Sequence, residues 1–377
     1  MYRFCERCER ETFDGNLWCQ DPDCPAEKGY RLLEYGEYLG DLKIIKFLRV
    51  WRTAALYEAE RDGQPVMVKV ANEGEFNADR LRREATLLNS ISPRTSSFRG
   101  RIRSFLPSTR PRLPIPLPAY PHRTKRAYGE ISQRGEVRVF SVFEYIEGKI
   151  LADVLLETPQ MWHTHAAWLT MMLAQAVRPI SARNLVHLSL TPDVVIVDFD
   201  EEGVPRPTLV DLGFALSVDE SDQLPSGAMH WEPAYTAPEL MAGSPNGSLN
   251  LSNDVYSLGM IFYEMLAGHP GYGNKLRRDA KLRQDILQVR KPISAGRPEL
   301  EQSGVAKVLE QAISPGNRYS NVVEFSKELQ GIYSSPPAEK RKIPTRLYVL
   351  LGAVALILVS LGVIAALTLL QVLSTTP

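Results

Sequence analysis

The chain of 377 residues has no net charge, because 44 Lys and Arg offset 44 Asp and Glu. A protein drawn to nucleic acid by its overall field would carry a basic excess, so nucleic acid is not expected as a partner. Cysteine is scarce. The four present, Cys5, Cys8, Cys19 and Cys24, all fall within the first 24 residues, which leaves the rest of the chain without a thiol. The start, Met1 to Cys5, has no basic stretch followed by an apolar run, so it does not read as a secretory signal, and synthesis is expected in the cytosol. Wholesale disorder is excluded by a hydrophobic fraction of 44% against 23% charged. The length suggests roughly two or three folded units.

Charge is missing altogether from Leu347 to Leu373, 27 residues that exceed the ~20 a helix needs to cross a bilayer. A buried core helix seldom runs so long without a polar face, so 347–373 reads as a transmembrane helix. Lys340, Arg341, Lys342 and Arg346 precede it and only Ser374 to Pro377 follow, so the basic-inside rule keeps everything before it in the cytoplasm, tail-anchored. Acid is missing from Arg94 to Arg126, which holds nine basic residues and, counting Pro93, seven prolines. This composition predicts an extended basic insertion over 93–126, neither helix nor strand. Each Lys or Arg near anionic lipid contributes about 1 kcal/mol, so lipid contact through 94–126 is one reading, beside a solvated loop with no special partner.

In a reducing compartment the spacing Cys5-x2-Cys8 and Cys19-x4-Cys24 points to zinc held by four thiolates rather than to disulfides. Four cysteines complete a tetrahedral shell and leave no position for water, so the ion is expected to be structural, in a small zinc ribbon over 1–29.

Further along, Ala55 to Glu60 and Pro65 to Ala71 flank Asp62-Gly63 and read as a hairpin. Asp79 to Ser90 then places Leu81, Glu84, Ala85 and Leu88 on one helical stripe. Tyr128 to Gln133 and Val137 to Tyr145 form a second hairpin. Helices follow over 166–181, 252–267, 279–289, 305–312 and 322–331, with short strands over 194–198 and 208–210. Strands first and helices second describe an α+β arrangement of two lobes.

The order of features resembles the protein kinase fold from Phe47 to Gly331, about three quarters of the chain. Lys69 in Val66-Met-Val-Lys69 stands where the family's strand lysine holds nucleotide phosphates, and Glu84 where the helix acid pairs with it. Asp211-Leu-Gly213 looks like the metal-binding DFG turn. Ala237-Pro-Glu239 closes a 29-residue segment as APE does. Asp254 matches the buried aspartate that ties down the catalytic loop, and Arg318 the late arginine that pairs with the APE glutamate. The resemblance implies cofactor-binding roles for Lys69, Glu84 and Asp211, with ATP and magnesium as the cofactors in question.

The catalytic loop departs from the family's HRD-L-K-P-x-N. His187, Leu190 and Pro192 are kept, but Ser189 replaces the aspartate base, Thr191 the lysine that neutralises the moving phosphate, and Val194 the metal-binding asparagine. An unactivated serine is no base near neutral pH, and valine offers a cation no lone pair. In the alternative of an active enzyme, Asp193 is the residue that would replace the lost carboxylate, from a shifted position. Arg49, Trp51 and Ala54 fall where the family has phosphate-loop glycines, and Trp51 is placed to occlude the pocket. Losing a base alone costs roughly 10² to 10⁴ in rate. The expectation is therefore a membrane-tethered pseudokinase that presents surfaces to cytosolic proteins, with an atypical active Ser/Thr kinase as the alternative. The expected layout is ribbon 1–29, linker 30–46, N-lobe 47–147, C-lobe 148–331, juxtamembrane linker 332–346 and span 347–373.

Overall fold

The computed structural model describes residues 3–5, 11–12, 29–51, 53–92, 112–120, 126–133, 135–224, 232, 234–241, 249–272, 292–339 and 355–366. The chain divides into two units, one of Met1–Ser92 with Pro111–Pro337 and one of Pro93–Arg110 with Ala338–Pro377.

The first unit carries a bilobal α+β fold. Its N-lobe is an antiparallel sheet built on β1 (Leu42–Val50), β2 (Ala54–Arg61), β3 (Gln64–Ala71), β4 (Gly129–Gln133) and β5 (Glu136–Glu144). Across the sheet the order runs β1, β2, β3, β5, and β4 pairs with β5. The β2–β3 turn works because Asp62 and Gly63 both take positive φ, 51° and 74°, the left-handed backbone that a two-residue hairpin loop demands. Helix α1 (Glu75–Ile91) lays Leu81, Ala85 and Leu88 against the lobe and carries Glu84 inward with them.

Two boundaries lie elsewhere than the sequence suggests. The lobe begins before Phe47: Leu32, Leu33, Leu39, Leu42 and Ile44 are all buried in the core behind the sheet, so 30–46 is not a free linker. The Pro-rich stretch is not wholly irregular either. Pro116–Leu117 pairs with β5 through Val142 and Phe143, and Ala119 is fully buried. Proline is tolerated at such a sheet edge, where no partner waits for its missing N–H. Residues 93–111 and 121–125 lie outside the described residues.

The C-lobe contains α2 (Leu151–Glu157), α3 (His163–Ser181), α4 (Ser252–Ala267), α5 (Val305–Ala312) and α6 (Val322–Ile332). Helix α4 is buried at every position from Asn253 to Leu266, the polar Asn253, Asp254, Ser257 and Glu264 included. Gly259 lets α5 approach: a Cβ there would stand 2.7 Å from Ile313 Cγ2. The strands Val195–Phe199 and Pro205–Leu209 form the hairpin that precedes Asp211. The helix expected over 279–289 lies outside the described residues.

At the N-terminus, Arg3–Cys5 pairs with both Glu11–Thr12 and Gly29–Arg31 in a small antiparallel sheet. Cys8, Cys19 and Cys24 lie outside the described residues, as does the Cys5 side chain. Among the described residues no cluster of metal-ligating side chains occurs. In the second unit, 355–366 is helical. No helix among the described residues is long and apolar enough to cross a membrane, and the flanking 347–354 and 367–373 are not described.

Candidate active site

β3 sits between β2 and β5, with Lys69 opposite Leu56 and Ser141 in the backbone ladder. Lys69 is fully buried. Its Nζ lies 2.5 Å from Glu84 Oε2 on α1 and also bonds Asp211 Oδ1, which brings together three groups from three distant segments. Glu84 Oε1 accepts from the Leu212 amide at 3.0 Å, and Asp211 Oδ1 from the Gly213 amide at 3.2 Å. Burial works against the Lys69 ammonium, but Asp211 and Glu84 outweigh it and hold its pKa above the usual value. One cation cannot fully serve two carboxylates. Burial raises Glu84 to about 7 against the pull of Lys69, whereas for Asp211 the same penalty is outweighed by Lys69 and the carboxyl stays below its usual range.

The catalytic loop is hung from α4. Asp254, fully buried, accepts from the His187 amide at 3.1 and 2.9 Å and from the Leu188 amide at 3.2 Å. This holds Leu188 at φ 67°, a left-handed conformation that costs a non-glycine residue roughly 1–2 kcal/mol. The Leu188 side chain repays part of that by packing with Val186, Phe214, Leu216 and Leu249, an apolar cluster where the family's HRD pattern has arginine. His187 is buried and pushed down to about 4 by desolvation, so it is neutral at pH 7. Its Nδ1 lies 3.4 Å from Ser189 Oγ. A neutral imidazole at that distance does not make Ser189 a base for another hydroxyl, because serine itself has no proton-accepting group of suitable pKa.

Thr191 and Val194 are both buried. Asp193 has Oδ1 at 3.6 Å from Arg49 Nη1 and its backbone carbonyl accepts from Trp51 Nε1 at 3.2 Å. Arg49 also pairs with Asp153 on α2. The Trp51 ring lies over Lys69, 4.9 Å from Nζ to centroid. Further off, Arg318 grips Glu239 at 2.6 Å while Asn253 donates to the same Oε1 at 2.9 Å.

As they stand, these residues do not present an open site for a magnesium nucleotide: an indole covers Lys69, and of the family's two metal-binding positions only Asp211 offers a carboxylate, the other being Val194. The sequence brought Lys69, Glu84 and Asp211 to notice. It gave no signal for Asp153 or for Asn72, whose Nδ2 donates to the Trp51 carbonyl at 2.7 Å. Arg49 and Asp153 are 104 residues apart and only folding joins them.

A two-lobed fold, a strand lysine tied to a helix glutamate, and a loop hung from a buried helix aspartate together define the protein kinase architecture. The chain belongs to the protein kinase domain family, whose model matches residues 126–329. It is 27% identical over 199 residues to the probable serine/threonine-protein kinase CPE1738 of Clostridium perfringens, covering 52% of this chain and 28% of that one. It is 26% identical over 209 residues to serine/threonine-protein kinase PknL of Mycobacterium tuberculosis, covering 54% and 50%. The chain thus spans half or less of the length of these relatives. The kinase domain of Mycobacterium tuberculosis PknI, solved as a double mutant, superposes with a TM-score of 0.53 at 18% identity, covering 80% of this chain and 99% of that one.

Proposed function

We propose that this protein is a catalytically impaired kinase, a pseudokinase, that serves as a signalling scaffold or regulator by binding other proteins. The observation that carries this reading is the loop from His187 to Val194. Its only carboxylate is Asp193, which is engaged by Arg49, while Ser189, Thr191 and Val194 supply neither base, nor phosphate cation, nor metal ligand. Partner binding needs a folded surface and none of these groups. The test is phosphoryl transfer by the full chain in detergent with magnesium or manganese ATP, run beside Lys69→Met. No transfer above the variant is expected. Transfer that disappears in the variant would overturn the reading.

An active Ser/Thr protein kinase is the second reading, and the names of the relatives favour it, since they are called serine/threonine-protein kinases. In that case Asp193 replaces the missing base, and Asp193→Asn abolishes transfer as completely as Lys69→Met does.

The same proposal includes zinc held by Cys5, Cys8, Cys19 and Cys24, supported by their spacing, and a bilayer tether through 347–373, supported by its lack of charge. Zinc at one equivalent by mass spectrometry and co-flotation with vesicles test the two separately. Contact of 94–126 with anionic lipid predicts a steep loss of binding with salt once the tether is removed.

A further inference from the structure

Arg49, near the end of β1, and Trp51, just beyond it, reach from the N-lobe to the C-lobe side of the cleft, and they do so by two different kinds of contact. Trp51 forms the inner one. Its amide donates to the Ala54 carbonyl at 2.7 Å and its carbonyl accepts from Asn72, which fixes the backbone; its indole N–H then donates across the cleft to the Asp193 carbonyl. The residue is 8% exposed, and its π face meets the Lys69 ammonium, a favourable cation–π arrangement in a desolvated site. Arg49 forms the outer contact with Asp153 and Asp193. Those side chains are 25%, 46% and 35% exposed, so these pairs sit at the mouth and are screened by salt.

We infer that Trp51 and Arg49 form an intramolecular clasp that holds the two lobes shut over Lys69, so that opening of the clasp, rather than the chemistry of the lysine, decides whether any ligand reaches the Lys69–Glu84–Asp211 cluster. The arrangement explains why Arg49 and Trp51 stand at two positions where the family keeps glycines: both have a partner on the opposite lobe. It also accounts for Asp193, whose carboxylate and carbonyl are both bound by the clasp. This inference deepens the pseudokinase reading by naming what controls its cleft, and the two can fail independently, because one is read by access to Lys69 and the other by phosphoryl transfer.

The experiment treats the full chain with a small amine-acylating reagent and reads Lys69 by peptide mass spectrometry against Lys149, whose side chain is 62% exposed. In the native protein Lys69 is acylated far more slowly than Lys149. Trp51→Ala raises the Lys69-to-Lys149 ratio at least about tenfold, since local opening governs access to a buried group. Asp153→Asn removes only an outer pair and raises it about threefold, an increase that molar salt reproduces in the unsubstituted chain. An unchanged ratio in a folded Trp51→Ala protein overturns the clasp, as does native Lys69 reacting at the rate of Lys149. Should Trp51→Ala unfold, Asp153→Asn decides: it changes no fully buried side chain, and no increase in that variant overturns the inference.

Discussion

Replacing Lys69 by methionine removes the one cation from a cluster that retains two carboxylates, and burial determines the result. Lys69 has no exposed surface and Glu84 and Asp211 are each 2% exposed, so the carboxylates cannot recover solvation in place. Removing one partner of a buried ion pair costs about 3–5 kcal/mol, because the remaining charge is left uncompensated. For a domain of about 300 residues that corresponds to a fall in Tm of roughly 5–8 °C. The Leu212 and Gly213 amides still bond Glu84 and Asp211, which places the expected loss nearer the lower end. Without Lys69 both carboxyls bind protons more tightly folded than unfolded, so the variant loses stability as pH rises, and its deficit is larger at about pH 8 than at about pH 5. The double change Lys69→Met with Glu84→Leu should recover part of the loss, since apolar packing replaces a buried pair at little cost. Urea unfolding followed by circular dichroism, across that pH range, measures all three effects. A Lys69→Met protein within about 1 kcal/mol of the original at every pH would refute the argument, because only a solvated cluster behaves so.

Three further outcomes are expected. Burial raises Asp254 from its ordinary 3.8 to about 7 against the amides of His187 and Leu188, so its stabilising share is full below about pH 4 and is lost as pH climbs towards 7; the urea midpoint should fall over that window less steeply in Asp254→Asn. Leu188→Arg, which restores the family's residue, puts a charge beside Phe214 and Leu216 and should destabilise by about 2–4 kcal/mol in the same assay. Gly259→Ala, although it improves helix propensity, places a methyl 2.7 Å from Ile313 Cγ2 and 3.2 Å from Ala312 Cβ, so a net loss of about 1–3 kcal/mol is expected in thermal unfolding.

The elements most legible in the sequence were those whose signal is local. Asp62-Gly63 announced a hairpin because only a few residues accept its backbone, and α4 runs over Ser252–Ala267, as read, because a predominantly apolar run stopped by Gly268 leaves little choice. The helix at Glu75–Ile91 was found with its inward Glu84, four residues short at its start, since Glu75 to Ala78 carry no apolar stripe. The burial of 30–46 and the pairing of Pro116–Leu117 were not legible, because a few hydrophobic residues among prolines and charges become a strand only when an existing sheet offers an edge.

The same division holds at the site. Sequence alone determined which groups the catalytic loop lacks, since the absence of a carboxylate at Ser189 and of a metal ligand at Val194 is a matter of composition. It also determined which ionisable groups remain, Lys69, Glu84 and Asp211. Tertiary structure decided what those groups do: it brought residues 142 positions apart into contact, withdrew them from water and set Trp51 over them. Charge and reactivity depend on burial and neighbours, and those are properties of the folded lobes rather than of any local stretch of chain.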